Sequence, residues 1–177
     1  MKLESLDNCE LYIGNYPKFL YDASGGGGNA IMGDKSMSGL RTIKFYPTSF
    51  IIPPLNFHTT KILGLPMPPG LKIDISVQKL SGVIDESRGT VSLEFESNFT
   101  FSILSLIKAP KLLIKTSLST NNVIGKFVEV KGATINRNRK ATLVGMALVE
   151  PTGNKFLDKF LDLPNQAIAK LNCKFMQ

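Results

Sequence analysis

Few of the side chains here that could do chemistry stand in a pattern that would let them act together. His58 is the single histidine, and Phe57-His58-Thr59 has no nucleophile motif to serve. A hydrolytic triad needs a histidine between a nucleophile and an orienting acid. Cys9 and Cys173, with that one histidine, fall short of the four N or S ligands a structural zinc takes. No metal and no cofactor is therefore expected. Two thiols near opposite ends make no disulfide framework, and free buried thiols in a reduced, cytosolic setting are the simpler reading. A pairing stays open, because antiparallel neighbours can bring the termini together.

Glu94 and Glu96 share one strand face, where two carboxylates could work as an acid/base pair. Alternating acids on the wet side of a sheet explain them more simply. Ser24-Gly25-Gly26-Gly27-Gly28-Asn29 invites a phosphate-cradle reading, since amides in such loops can converge on an anion. It lacks the P-loop spacing, the closing Lys-Ser or Lys-Thr pair and a following helix. It reads instead as a flexible loop or hairpin corner. A non-enzymatic protein is expected.

What remains is apolar and periodic. Leu71, Ile73, Ile75 and Val77 alternate with Lys72, Asp74, Ser76 and Gln78, and the pattern returns as Val91, Leu93, Phe95, Phe99, Phe101 and Ile103. A period of two places one set on one face of a strand. Only Ser97 interrupts the second row, so a bend or opening is expected there. Asp85-Glu86-Ser87-Arg88-Gly89 links the rows, with an aspartate able to hold the turn amides and a glycine free to take the left-handed conformation. Each buried Phe contributes roughly 1.5–3 kcal/mol, so this row decides which face meets the core.

The rest of the chain supplies neighbours for that hairpin. Leu11–Ile13 and Ile43–Phe45 read as short strands, and Gly33–Gly39 as a loop. Leu65-Pro66-Met67-Pro68-Pro69-Gly70 reads as a stiff crossover, and 112–119 and 127–131 as further strands. Leu143–Val149 is apolar on both faces, which suits a sheet centre. Thr152 or Asn154 can cap a short helix running to Leu163 with Phe156, Leu157, Phe160 and Leu161 inside, before a closing strand through Phe175. At 177 residues this is one domain, 1–177. The expected fold is all-β: a single antiparallel β-barrel (calycin-like), ahead of a two-sheet sandwich, with one short C-terminal helix.

Leu11-Tyr12-Ile13-Gly14-Asn15-Tyr16-Pro17, Tyr21-Asp22-Ala23-Ser24 with its glycine run, and Leu63-Gly64-Leu65-Pro66-Met67-Pro68-Pro69 resemble a group of cyanobacterial and plastid proteins to which no activity is assigned. That resemblance implies a photosynthetic-lineage setting and no site residues.

No apolar run approaches the ~20 residues of a membrane helix, and the acids of Met1-Lys2-Leu3-Glu4-Ser5-Leu6-Asp7 leave no visible export signal. The net charge is +7, and from Ser102 onward 12 Lys and Arg stand against 4 Asp and Glu. Two readings of function follow. In the first, the barrel holds a hydrophobic small molecule (a lipid, pigment or isoprenoid) against Phe95, Phe99 and Phe101, with Ser97 admitting a polar end. In the second, a peripheral or scaffold protein docks on an anionic lipid surface or acidic partner through Arg137, Arg139 and Lys140. Nucleic acid fits less well, because tryptophan is absent and the aromatics lie on apolar faces rather than among the bases. A cytoplasmic protein, soluble or membrane-peripheral, is expected, and nothing in the sequence fixes its oligomeric state.

Overall fold

The hairpin between Leu71 and Ile103 is the longest element of the fold, and the other strands are arranged around it. The computed structural model describes residues 1–104 and 106–176, with the backbone alone at Ile107 and Lys108. The first strands are β1 (Lys2–Ser5), β2 (Cys9–Ile13), β3 (Phe19–Tyr21), β4 (Gly27–Lys35), β5 (Leu40–Phe45), β6 (Thr60–Ile62) and β7 (Leu65–Pro66). The hairpin is β8 (Leu71–Asp85) and β9 (Thr90–Ile103). After it come β10 (Ile107–Lys108), β11 (Leu112–Ser119), β12 (Val123–Ile124), β13 (Glu129–Val130), β14 (Lys140–Val149), helix α1 (Lys155–Phe160) and β15 (Asn165–Met176).

Eight antiparallel strands close on themselves in the order β1-β4-β5-β8-β9-β11-β14-β15 and back to β1. Closure leaves the ring without exposed edges at its seam. The long strand β15 serves two neighbours, pairing β1 through Cys173–Met176 and β2 through Ala167–Lys170. From β2 the sheet continues through β3, β6 and β7, and an isolated bridge ties Leu55 back to Ile73 on β8.

The β8–β9 turn is built as the residues require. The Asp85 Oδ1 accepts the Ser87 hydroxyl at 2.6 Å and the amides of Ser87 and Arg88 at 2.9 and 3.1 Å, while Gly89 sits at φ +68°. Opposite Ser97 the register slips between Val77 and Lys79, so the bend expected at Ser97 is a bulge on its partner strand.

Inside, two buried clusters divide the barrel along its axis. At the end where β8 turns into β9, Ile43, Phe45, Ile84, Leu93, Leu143 and Phe175 make a solid core. At the other end Tyr21, Leu55, Met67, Phe101, Val149, Leu157 and Leu161 make a second, with α1 lying across it.

Several expectations need correction. The glycine run is a turn only over residues 24–26, and from Gly27 it is strand β4: a Cβ on Gly27 would lie 2.0 Å from the Leu3 carbonyl oxygen, and one on Gly28 2.9 Å from the Phe50 ring. These glycines let β4 press against β1 and against Phe50. Strand β4 also runs on to Lys35, which shortens the loop read at Gly33–Gly39. Residues 127–131 add no strand to the barrel, because β12 and β13 form a separate ribbon that buries Val130 against Val144 and Ile168 on the outer face. Asn154 does cap α1, its side chain accepting the amides of Phe156 and Leu157, but the helix stops at Phe160. Only Leu157 and Leu161 face inward. Phe156 and Phe160 are exposed, because one and a half turns present too narrow a stripe to bury all four. The outer residues Met146 and Leu148 of β14 are exposed as well.

Candidate ligand cavity

Strand alternation turns Phe95, Ser97, Phe99 and Phe101 to the inside of β9, together with Val91 and Leu93. In the lower half such residues meet and fill the barrel. Higher up they do not meet. A cavity of about 170 Å³ lies there, and Phe95, Phe99 and Phe101 all line it. Its wall runs from Leu3, Leu118 and Leu143, which belong to the packed cluster and floor the cavity, to Ile13, Val149 and Leu163 toward α1. It is therefore long and narrow.

Small side chains on β14 and β15 make the room. Gly145 pairs with Ala169 and Ala147 with Ala167, and all four line the cavity. Elsewhere the wall is largely Leu, Ile and Phe. Gly145 has a separate reason to be small: a Cβ would sit 2.7 Å from the Ser117 carbonyl and 2.9 Å from the Thr116 hydroxyl, so β11 could not approach. The wall is also weakest at this place. Strand β14 is paired to β15 along its whole length, yet its ladder with β11 is reduced to Ser119 and Val144. Beyond that pair the Thr116 hydroxyl donates to the Met146 carbonyl at 2.8 Å and ties the two strands together.

Of the polar side chains in the wall, Tyr21, Thr116, Asn165 and Gln166 are already engaged, and Ser5 makes no side-chain hydrogen bond among the described residues. The Tyr21 hydroxyl donates to the Pro53 backbone carbonyl, the Gln166 side-chain Oε1 accepts the Lys126 amide at 2.9 Å, and the Asn165 side-chain Oδ1 accepts the Gln166 amide at 2.8 Å. Burial raises the Tyr21 phenol above its ordinary range. Among the described lining residues there is no carboxylate, imidazole, amine, guanidinium or thiol. The cavity offers apolar contact and little else.

Ser97 is placed differently from its neighbours. It faces inward between Phe95 and Phe99, opposite Val77 and Ile114, and is fully buried without lining the cavity. Its hydroxyl has no hydrogen-bond partner, the single buried side-chain polar atom in that state among the described residues.

The residues weighed for catalysis are scattered. Glu94 pairs with Lys79 at 2.5 Å and Glu96 with Lys115 at 3.3 Å on the outer face. His58 is exposed, edge-on to Phe57. Cys9 and Cys173 are both free and buried, and burial pushes their thiols up to about 11 and about 12. No cluster of three or more potential metal ligands occurs among the described residues.

Arg137, Arg139 and Lys140 stand exposed on a turn at the packed end, where the Asn136 side chain accepts the amides of Asn138 and Lys140 and Arg139 takes φ +61°. Among the described residues none of the three meets a carboxylate. The sequence reading missed Ala147, Ala167 and Ala169. The available signal was a pair of small residues two apart on each of two consecutive strands, Gly145 and Ala147 on one and Ala167 and Ala169 on the next, where a filled core would carry larger residues.

No family model, curated protein or solved structure matches this chain. The functional reading therefore rests on the cavity and on the surface around it.

Proposed function

We propose that this protein holds a hydrophobic small molecule, or the apolar part of one, inside the barrel and does not transform it. One observation carries the reading: a long apolar cavity between the phenylalanine row of β9 and the alanines of β14 and β15. An apolar cavity of about 150 Å³ stays dry and takes up benzene, so about 170 Å³ suits one ring or a short run of alkyl chain. Its elongated shape favours a linear group, and half-buried Phe95 and Phe99 can turn to admit a longer one. The Ser97 hydroxyl is buried and unpartnered in the same row but outside the cavity wall, so it would meet a polar end only where Phe95 or Phe99 turns aside.

A homologous series of straight-chain alkanols titrated calorimetrically tests this. Affinity should rise about fourfold for each methylene buried, the equivalent of about 0.8 kcal/mol, and then level off once the cavity is full. A negative heat-capacity change should accompany binding. Absence of binding across the whole series would retire the proposal.

A further inference from the structure

The two ends of the barrel are finished with different residues. At the packed end the turns read Asp85-Glu86-Ser87-Arg88-Gly89, Asn121-Asn122 and Asn136-Arg137-Asn138-Arg139-Lys140, with Met37 the exposed apolar side chain of the β4–β5 turn. At the cavity end apolar side chains stand in solvent on four separate segments. Leu63 is on the β6–β7 turn, 80% exposed; Leu104 and Leu106 flank the β9–β10 turn; Phe127 is on the β12–β13 turn; Phe156 and Phe160 are on α1.

Part of this surface is continuous. Phe156 stacks on Phe160 with ring centres 6.2 Å apart, Phe160 meets Tyr16 at 6.1 Å, and Tyr16 meets Phe19 at 6.5 Å. Phe19 is paired across the sheet with Ile62, the residue before Leu63. The helix that displays the two phenylalanines leads into Leu161 and Leu163, which line the cavity. Exposed apolar patches of this kind mark interaction sites. Leu63 and Leu104 also hold φ of +52° and +50°, a left-handed backbone in which glycine or asparagine would be relaxed and leucine is not. Leucine at both tips therefore favours a use for the side chain over the comfort of the turn.

Charge points to one occupant. Lys61, Lys111, Lys155 and Lys159 are exposed around the patch, and none forms an ion pair among the described residues. Lys126 lies 5.0 Å over the Phe127 ring. Of the acids near α1, Asp158 is held by Thr152 and Gly153 and Asp162 by Asn15, while Glu150 is exposed and forms no ion pair among the described residues, so the lysines outnumber the unengaged acids there. Apolar tips ringed by lysines fit the boundary of an anionic bilayer, where side chains enter the acyl region and amines meet headgroups.

We propose that the cavity end of the barrel docks on anionic lipid membranes, inserting Leu63, Leu104, Leu106, Phe127, Phe156 and Phe160. This deepens the cavity reading by naming the phase from which an apolar ligand enters. It also assigns docking to the end opposite Arg137, Arg139 and Lys140.

The test is co-sedimentation of the intact protein with vesicles of phosphatidylcholine alone or mixed with phosphatidylserine, at low and physiological salt. A variant carrying Leu63→Gly, Leu104→Gly, Phe156→Ser and Phe160→Ser removes insertion while relaxing two backbone positions, so its fold is preserved; thermal unfolding verifies that. Wild-type protein should bind the mixed vesicles, and the fourfold variant should bind them about tenfold or more weakly. At physiological salt Arg137→Ala/Arg139→Ala/Lys140→Ala should change binding less than about threefold, because those charges stand at the opposite end of the barrel, beyond a Debye length of ~8–10 Å from the docked surface. No binding to mixed vesicles, binding that survives the fourfold change, or binding lost through the basic triple alone would each overturn the inference. So would a wild-type dimer in solution that the fourfold change dissociates, since the patch would then be a subunit interface. The alkanol titration is independent of vesicles, so failure of docking and failure of the cavity reading give different results.

Discussion

Replacing Ala169 and Ala141 by leucine, one at a time, should have opposite effects on stability. Both side chains point into the barrel from neighbouring strands, but Ala169 lines the cavity and Ala141 lies in the packed cluster with Leu143, Cys173 and Phe175. Leucine adds three carbons to alanine. At about 0.8 kcal/mol for each buried methylene, filling the cavity from Ala169 has a ceiling of about 2.4 kcal/mol. The ordered leucine side chain gives back about 0.5–1 kcal/mol in rotamer entropy. Ala169→Leu should therefore stabilise by about 1–2 kcal/mol, a rise in melting temperature of about 2–8 °C for a domain of this size. The same three carbons at Ala141 have no space to enter, and overpacking costs about 1–3 kcal/mol.

Denaturant unfolding reads both effects, with an unchanged slope confirming that the folded state is intact. A cavity shortened by three carbons should also bring the alkanol series to its plateau about three methylenes earlier. Ala169→Leu destabilising as much as Ala141→Leu would mean that the space is not there. Stabilisation with an unaltered alkanol profile would mean that the ligand sits elsewhere.

Ser97→Ala should leave stability unchanged or raise it by up to about 2 kcal/mol, since a buried hydroxyl without a partner costs about 1–3 kcal/mol; a loss above about 1 kcal/mol in denaturant unfolding would show that the hydroxyl is satisfied in the free protein. The thiols of Cys9 and Cys173 titrate at about 11 and about 12 in the folded chain against an ordinary value of 9.0. The native state thus keeps protons that the unfolded chain releases, and their contribution is complete below pH 9.0 and disappears as pH rises toward 11–12. Melting temperature should fall over that window, and less steeply after Cys9→Ala/Cys173→Ala; parallel curves for wild type and variant would contradict the assignment.

Elements governed by local rules were legible in the sequence. The hairpin from Leu71 to Ile103 follows from alternation and from one turn whose aspartate and glycine have specific duties. The closing strand β15 and the short capped helix follow in the same way. What could not be read depends on distance in space. Gly27 and Gly28 read as a loop because nothing local shows that Leu3 and Phe50 will press on them. Val128 and Val130 alternate like barrel residues, but the face they cover is the outside of β14 and β15. The phenylalanine row was visible, whereas the room beside it depends on which small residues arrive opposite, and that is set by the pairing of Gly145 with Ala169 and Ala147 with Ala167.

The hollow half and the apolar end can be weighed together. Unfilled apolar space costs about 24 cal/mol per Å³ against a filled core, so about 170 Å³ amounts to about 4 kcal/mol. That is a large share of the 5–15 kcal/mol that typically separates folded from unfolded chains. Leu63 and Leu104 add roughly 1–2 kcal/mol each by holding a left-handed backbone, while their side chains remain in water. The same chain shows at its other end that it can fill a core with Phe45, Ile84, Leu93 and Phe175 and close a turn with Asp85 and Gly89. A left-handed backbone and an exposed apolar side chain occur at the packed end too, at Arg139 and Met37, but the empty volume lies in the other half, and burial of the Leu63 and Leu104 side chains in an apolar phase would offset their backbone cost there. A protein that takes up its ligand at a membrane surface would carry both costs at that end, and the Leu63→Gly and Leu104→Gly changes separate them: they should raise stability and weaken vesicle binding without altering the alkanol titration.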